Sequence, residues 1–577
     1  PRTRGLDGPP GETIEFRRTL MNKPGGRNPV MIASAVIVLG LALLGAAMPR
    51  RFGEVAKSLL LFTTTNFGWF FLLSVFAMVV FLVGLAISKY GNIRLGPDDS
   101  RPDFPFFTWI AMLFSAGFGA GLVFWGVAEP MSHFFTTPFP SIEGQTPTAA
   151  RVAMGYAFFH WGVSQWSVFT VAGLAIGFLQ FRKHRDSLIS TALEPVVGKR
   201  PGTKAVIDSL AVIATVMGIA TSLGLGILQI GGGLQSVFGI PSGLGTQLLI
   251  VVVMFVAYMI SSTTGLDRGI RWLSNLNLAL CLVLLLFVFV AGPTVFVLNS
   301  FVLALGDYLT NFVQYSLRMT PYRGGTWVRD WTIFYWAWAI AWSPFVGAFV
   351  ARVSRGRTIR EFVVGVLVIP PLIACVWIAT FGGAALFEDL RNAAGIAAIV
   401  DADVAMALFA MYEHLPMTQL LSVLSILLIL TFLVTSADSA TYILASMTTG
   451  GRLDPPMYAK VVWGVLMAAI AAVLLAAGGL SSLQTASLVA ALPFTVLLLL
   501  LMLAIVKLLR HEPLPIRKAD LRRYQRLTEA AEAAAEKEAE RELREAKEAA
   551  QKVFEAERAR HRAREGQARP EKEGGGE

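Results

Sequence analysis

The most regular feature of the sequence is a succession of long apolar runs separated by short polar breaks. From about residue 29 to residue 509, charged side chains fall mostly between the runs. An α-helix rises 1.5 Å per residue, so about 20 apolar residues cross the hydrocarbon core of a bilayer. The pattern therefore predicts an all-α protein that crosses a membrane many times.

Twelve runs are long enough to serve as transmembrane spans. Their limits are 29–48, 67–90, 104–132, 149–181, 205–238, 243–262, 272–296, 328–352, 358–382, 417–447, 457–478 and 480–509. Residues 385–416 form the one long break outside the membrane. Residues 300–326 are expected to form an amphipathic helix at the membrane surface, between the seventh and eighth spans.

The composition agrees with this pattern and excludes other classes of protein. Of the 577 residues, 55% are apolar and only 15% are charged, whereas soluble proteins carry about 25% charge. A soluble enzyme and a disordered chain are both excluded. The acidic break outside the membrane has no metal-ligand spacing, so we do not expect an enzyme or an organic cofactor.

The distribution of Lys and Arg predicts the orientation. With the amino terminus inside, the inner loops hold about 17 Lys and Arg against 8 in the outer loops, as the positive-inside rule requires. We therefore expect a multi-pass protein of the cell membrane with both termini in the cytoplasm. The net charge of +10 is explained by these loops, so we expect no nucleic-acid partner.

The charged tail at 511–577 differs from the rest of the chain. It is rich in Ala, Glu, Lys and Arg, which favour a helix with charge pairs three or four residues apart. It is either a solvated helix or a regulatory arm. In the second case Arg558, Arg560, Arg562 and Arg564 would touch anionic lipid.

Three features inside the spans suggest chemistry, and the first is a run of glycines in the third span. Gly117, Gly119 and Gly121 recur at a spacing of two, which is not the spacing of four that helix packing uses. The run predicts a break or a close approach between helices. A broken span is tolerated where it lines a cavity, and its freed carbonyls can hold a cation.

The second feature is a pair of aromatic faces. At 100° per residue, the three rings of the fourth span lie at about 0°, 140° and 80°, and those of the eighth at about 0°, 40° and −20°. They are Trp161, Trp166 and Phe169, then Trp338, Trp342 and Phe345. Such rings either mark the membrane interface or form an inward-facing box that binds a quaternary ammonium group by cation–π attraction.

The third feature is polar, and it lies in the tenth span. The adjacent hydroxyls of Thr435 and Ser436 are hard oxygen ligands suited to sodium, or they bond back to their own helix. Asp438 is an ionisable residue within the same span and is a functional candidate. We expect Glu129 and His160 to be satisfied polar partners.

Several of these motifs, in order, resemble the betaine/choline/carnitine transporter family over about residues 25–510. The motifs are the Gly117–Gly121 segment followed by Phe124-Trp125-Gly126-Val127-Ala128-Glu129-Pro130, the sequence Trp-Ala-Ile-Ala-Trp-Ser-Pro at 338–344, Arg-Val-Ser-Arg-Gly-Arg at 352–357 and Thr-Ser-Ala-Asp-Ser at 435–439.

The resemblance implies a fold and an assembly. Spans three to seven and eight to twelve would form two inverted repeats of the LeuT-like kind, in a homotrimer that works by alternating access. The implied parts are a cytoplasmic tail at 1–28, two peripheral helices at 29–100, a first repeat at 101–299, the interfacial helix at 300–326, a second repeat at 327–510 and the charged tail at 511–577.

The resemblance also implies the site residues and a sodium-coupled import of a glycine betaine-type solute. The implied substrate-binding residues are Trp161, Trp166, Phe169, Trp338, Ala339, Trp342, Gly117, Phe118, Gly119 and Gly121. One sodium site would use oxygens at Ser115, Phe118, Phe432, Thr435 and Ser436. A possible second site would use Thr215 and Phe345.

The sequence departs from the sodium-coupled betaine carriers at three of the implied positions. Ile219 stands where they have a second hydroxyl, which puts the second sodium in doubt. Phe169 replaces a tyrosine, and Ala339 replaces a tryptophan and leaves room for a ring-shaped solute. An ectoine-type, choline or carnitine carrier, whether proton-coupled or a sodium-independent exchanger, therefore remains an alternative. No Lys or Arg lies within 429–441 to replace sodium, as the exchangers would require.

Overall fold

The computed structural model describes residues 29–117, 119–264, 267–322, 324–514 and 518–567, with only the backbone described at 114–117, 264, 267–271, 518–522 and 565–567. Within these ranges the chain is helical, and the one β-type pairing is an isolated bridge between Arg94 and Thr358. The predicted all-α class is confirmed.

The α-helices of the apolar region are numbered in chain order. They are α1 (Pro29–Ala47), α2 (Pro49–Ile87), α3 (Phe106–Gly117), α4 (Ala120–Phe135), α5 (Pro147–His160), α6 (Val163–Gly177), α7 (Ile189–Val197), α8 (Pro201–Phe238), α9 (Leu244–Thr264), α10 (Asp267–Ala291), α11 (Thr294–Ser316), α12 (Phe334–Val353), α13 (Ile359–Asn392), α14 (Ile396–Ala402), α15 (Ala407–Tyr412), α16 (Thr418–Thr448), α17 (Met457–Gly478) and α18 (Leu480–Arg510). Single π-type turns extend α6 to Arg182 and precede α12 from Arg329.

Twelve described helical segments, one of which joins α5, α6 and the π-type turn that follows, are long and apolar enough to cross a membrane, as expected of a polytopic membrane protein. They differ from the predicted set in one member. The third span is broken into α3 and α4, neither of which qualifies alone, and α11 qualifies instead. Helix α11 begins before the predicted limit of 300 and ends well before 326. Its location at the membrane surface stays a prediction, as do the two inverted repeats and the division into parts.

Glycines bring α12 into backbone contact with two neighbouring helices. A Cβ placed on Gly173 of α6 would lie 3.0 Å from the carbonyl oxygen of Gly347 in α12. A Cβ on Gly218 of α8 would lie 3.0 Å from the backbone of Ala341 and of Trp342. Small residues permit such an approach between membrane helices. The face of α12 that carries Trp338 and Trp342 is therefore enclosed in the bundle.

The tail forms a compact unit of its own, which begins at Pro513. Its helix α19 spans Lys518–Gln567, and its described side chains from Arg523 to Arg564 are all exposed to solvent. The predicted helix is confirmed, and the sparse apolar side chains explain why no other described part of this unit covers it.

Candidate functional site

The third span is broken at its glycines, as the sequence predicts. Helix α3 ends at Gly117, and α4 begins at Ala120 after an extended Gly119 with φ −168° and ψ 169°. The Gly119 carbonyl accepts hydrogen bonds from the amides of Leu122, at 3.0 Å, and Val123, at 3.2 Å. Phe118 itself lies outside the described residues, and only the backbone of Ser115 and of Gly117 is described.

A second break, which the sequence analysis missed, interrupts the fourth span. Helix α5 ends at His160, and α6 begins at Val163. Tyr308 explains the separation, because its hydroxyl accepts the Val163 amide at 2.9 Å and a Cβ on Gly162 would collide with its ring. Gly162, directly after Trp161, was the available signal.

The two breaks meet at Gly121. A Cβ on this residue would overlap the Cη2 atom of Trp338 and would lie 3.6 Å from the Cη2 atom of Trp161. Gly121, the third glycine of the run, therefore allows the rings of Trp338 and Trp161 to lie close to the backbone of α4, and it does not form a turn. Rings from the fourth and eighth spans close over the backbone of α4 at this point.

The aromatic rings predicted from the two faces form one continuous series. The centroids of Trp161 and Trp338 are 6.1 Å apart at 82°, and those of Trp338 and Trp342 are 6.2 Å apart at 19°. Phe169 meets Trp342 edge-on at 6.1 Å and Trp166 at 5.2 Å. We call these five residues the aromatic box. All are buried except Trp342, which is half-buried, so the rings face one another and not lipid.

Two indole N–H groups of the box are held by polar residues behind it. Trp338 Nε1 donates to the hydroxyl of Ser222 at 3.1 Å. Trp161 Nε1 donates to Oε2 of Glu129 at 2.9 Å. Neither pairing is visible in the sequence, because each joins separate helices. The expectation that Glu129 and His160 are satisfied polar partners is confirmed, since His160 Nδ1 lies 2.6 Å from Oε1 of Glu129.

Ala339 lies next to Trp338 on α12 and is fully buried. Adjacent residues of a helix point about 100° apart. A tryptophan at this position would therefore add a wall beside the ring of Trp338, and the alanine omits that bulk.

The predicted sodium ligands of the tenth span lie on α16. The Thr435 hydroxyl lies 3.0 Å from the carbonyl oxygen of Thr431 and 3.1 Å from that of Phe432, and the Asn277 amide lies 3.4 Å from it. Ser436 is half-buried on the next position. The carbonyl of Phe432 and the hydroxyl of Thr435 are therefore adjacent. Of their predicted partners, which are backbone oxygens, Phe118 lies outside the described residues, and only the backbone of Ser115 is described.

The residues of the possible second sodium site lie on two helices, Thr215 on α8 and Phe345 on α12. The Thr215 hydroxyl donates to the Ala211 carbonyl at 2.7 Å, one turn back on α8. Phe345 stacks on Trp342 at 5.7 Å. Ile219 is buried one turn after Thr215 and offers no oxygen. The role of this pair stays a prediction.

A charged cluster lies where α6 and α18 end. Arg182 Nε donates to Glu512 at 2.6 Å, its Nη1 donates to Asp98 at 2.7 Å, and Lys183 pairs with Glu512 as well. Burial alone would raise the pKa of Glu512, but the hydrogen bonds from Lys183 and Arg182 outweigh it, and the pKa is lowered from its usual 4.5. The cluster joins the fourth span to the end of the twelfth.

These features define a class of protein: a polytopic membrane protein with an aromatic box inside the bundle, beside two interrupted helices. Residues 29–514 match the BCCT, betaine/carnitine/choline family transporter description. The chain belongs to this family and is a transporter of betaine- or ectoine-type small solutes, not an enzyme.

Three relatives support this assignment. The chain is 64% identical to an ectoine/hydroxyectoine transporter of Virgibacillus pantothenticus over 85% of its own length and 98% of the relative. It is 45% identical to the glycine betaine transporter OpuD of Bacillus subtilis (strain 168), over 84% and 94% of the two chains. It is also 45% identical to a probable glycine betaine transporter of Desulfitobacterium hafniense (strain Y51), over 84% and 98%.

Proposed function

We propose that this protein imports an ectoine-type compatible solute across the cell membrane by sodium symport and alternating access, with glycine betaine as the second candidate solute. The observation that carries the proposal is the aromatic box at the meeting point of the broken third and fourth spans and α12. Solutes of this class carry a delocalised or quaternary cation, and desolvated rings bind such cations with about 2 kcal/mol or more per contact.

The order of the two solutes rests on two observations. The relative with 64% identity is named for ectoine and hydroxyectoine, and the two relatives described above that are named for glycine betaine share 45%. Ala339 also lacks the bulk that a tryptophan would add next to Trp338, which favours a cyclic cation over a compact trimethylammonium group. Phe169 adds a ring without a hydroxyl, which suits a contact with the face of the solute.

Sodium coupling is proposed from α16. The Thr435 hydroxyl and the Phe432 carbonyl lie side by side, and Ser436 follows directly. Oxygen ligands of this kind suit a hard cation. Ile219 removes one hydroxyl from the possible second site, so we propose one sodium ion per solute. The uptake assay described next also tests the proton-coupled and ion-independent alternatives.

The test is uptake of labelled ectoine and of labelled glycine betaine into proteoliposomes with a sodium gradient, with a pH gradient, or with neither. We expect the sodium gradient alone to drive accumulation, and ectoine to compete better than glycine betaine. Equal uptake without sodium would reject the coupling, and accumulation driven by a pH gradient would establish the proton-coupled alternative. Absence of uptake of either solute would reject the substrate class.

The sodium ligands are tested by Thr435→Ala and Ser436→Ala. Each is expected to raise the sodium concentration for half-maximal uptake several-fold, because it removes one oxygen ligand. Thr495→Ala is the matched control, since the Thr495 hydroxyl makes the same kind of bond to its own helix, at 2.8 Å to Ala491, outside the proposed site. An unchanged sodium requirement in both α16 variants would mean that the pair is structural.

We further propose that both termini lie in the cytoplasm, that the protein is a homotrimer, and that the basic end of the tail contacts anionic lipid. The surfaces of α1, α9, α10 and α11 are largely apolar and exposed within one chain, as expected for contacts with lipid or with another copy. Cross-linking in native membranes tests the trimer, and protease access in oriented vesicles tests the termini.

A further inference from the structure

A fully buried polar cluster lies directly behind the aromatic box. It contains Glu129 and His133 of α4, His160 at the end of α5, and Tyr335 of α12. The two histidines and the glutamate have no exposed surface. An ionisable group in such a place is costly unless it is fully hydrogen-bonded.

The Glu129 carboxylate has hydrogen-bonding partners on both oxygens. Oε1 lies 2.6 Å from His160 Nδ1 and 3.2 Å from His133 Nε2. Oε2 accepts the Tyr335 hydroxyl at 2.5 Å and the Trp161 indole N–H at 2.9 Å. An ionised carboxylate is purely an acceptor, and bonds to it are stronger than bonds between neutral groups. Four groups from three segments are thereby oriented by one side chain.

The surroundings of the carboxylate are themselves fixed. His160 Nε2 lies 2.9 Å from the Thr332 hydroxyl, and its ring stacks on Tyr335 at 4.8 Å and 15°. His133 packs edge-on against Trp331 at 4.4 Å. The position of Glu129 is therefore determined by the bundle and not by the indole that it holds.

Among the five members of the aromatic box, Trp161 is the one that is hydrogen-bonded to this carboxylate. It lies in the break between α5 and α6, where its direction does not follow from a continuous helix. A buried indole N–H needs a hydrogen-bond partner, and Glu129 is the acceptor present.

We propose that Glu129 is a positioning residue that sets the affinity and selectivity of the solute site through Trp161, without touching the solute. The proposal rests on the proposed function only in that Trp161 must face the solute. With Glu129→Gln, the side chain keeps its size but replaces one acceptor oxygen with a donor NH₂ group. The amide is uncharged, so the bond that it offers to the indole N–H is weaker than the bond to the carboxylate, and the indole is held less firmly.

The test is a double-mutant cycle on the full-length protein, read as the dissociation constant of whichever labelled solute the wild type binds. Glu129→Gln is expected to weaken binding about tenfold. Trp161→Phe keeps a ring but has no N–H, so it should weaken binding to a similar extent. In the Trp161→Phe background, adding Glu129→Gln should cost less than about threefold, because residues that act through one contact are not additive.

Tyr335→Phe is the matched control, because it removes a different hydrogen bond from the same carboxylate oxygen. In the Tyr335→Phe background, Glu129→Gln should keep most of its effect on binding. Additive effects in the Trp161 pair, or equal coupling in both pairs, would overturn the proposal and assign Glu129 a general structural role.

Two further outcomes are decisive. If Glu129→Gln does not fold, Trp161→Phe alone still tests the idea, since unchanged affinity in that variant would show that the indole N–H sets nothing. If the wild type binds neither ectoine nor glycine betaine, the proposed function fails. If it binds one of them and the cycle is additive, only the positioning role fails.

Discussion

Gly121→Ala is the substitution for which the structure predicts the clearest local effect on the site. The added Cβ would overlap Cη2 of Trp338 and would lie 3.0 Å from its Cζ2. Carbon atoms in contact normally stay 3.5–4.0 Å apart, so the indole must move by roughly 1 Å or more. The backbone of α12 at Ala341 and Trp342 is in close contact with α8 at Gly218. We therefore expect the indole ring to move rather than helix α12.

The magnitude follows from what the moved ring loses. A desolvated cation–π contact is worth about 2 kcal/mol, which corresponds to roughly 30-fold in a dissociation constant. Partial loss of one such contact should weaken solute binding by about five- to thirtyfold. Overpacking should also cost about 1–3 kcal/mol of stability, which would appear as a lower Tm.

The assay is equilibrium binding of labelled ectoine and glycine betaine to the purified full-length protein, with Tm measured on the same samples. Gly119→Ala is the matched control. It lies in the same break, its backbone is extended, and a Cβ there meets nothing within 4 Å. A loss of affinity in Gly119→Ala equal to that in Gly121→Ala would refute the reasoning, because the effect would then come from a stiffer backbone and not from ring displacement.

Two further predictions concern hydrogen bonds, one between α8 and the aromatic box and one in the charged cluster at the end of α18. Ser222→Ala should weaken solute binding several-fold, because it leaves the buried N–H of Trp338 without its partner, at a cost of about 1–3 kcal/mol; unchanged binding would show that the bond does not orient the ring. Glu512→Gln should lower Tm at pH 7 and remove a pH dependence. Because Lys183 and Arg182 lower the pKa of Glu512, its stabilising effect is present above the ordinary glutamate pKa and is lost as the pH falls through the lowered value. The wild type should therefore lose more Tm than the variant between pH 7 and acidic pH, and equal losses would contradict this.

Most of the fold was predictable because bilayer thickness imposes long apolar runs. The predicted limits of the spans were wrong where polar side chains form hydrogen bonds within their own helix. Helix α2 begins at Pro49, whereas the predicted span begins at 67. The polar residues Ser58, Thr64 and Asn66 fit within this helix because each side chain donates a hydrogen bond to a carbonyl one turn back, at 2.8–3.0 Å. A polar run of this kind ends an apolar pattern without ending the helix.

The rings of the site were predictable, but the geometry used to group them was incomplete. The angular positions of Trp161, Trp166 and Phe169 assume a continuous fourth span, and the structure breaks that span at 161–162. Trp166 and Phe169 follow the helical spacing within α6. Trp161 lies in the break itself, so its ring meets Trp338 for a reason that helical periodicity does not describe.

That reason is a polar contact between distant parts of the chain. Periodicity identifies residues on one face of one helix, but a hydrogen bond between helices depends on how the whole bundle packs. In the sequence, Glu129 and Ser222 are isolated polar residues. In the structure, each accepts a hydrogen bond from the indole N–H of one tryptophan of the aromatic box. Rings bind a cation well only if they are desolvated and correctly oriented, and burial provides the first condition but not the second. Selectivity among solutes that differ little in size should therefore respond to these two acceptors as strongly as to the rings themselves.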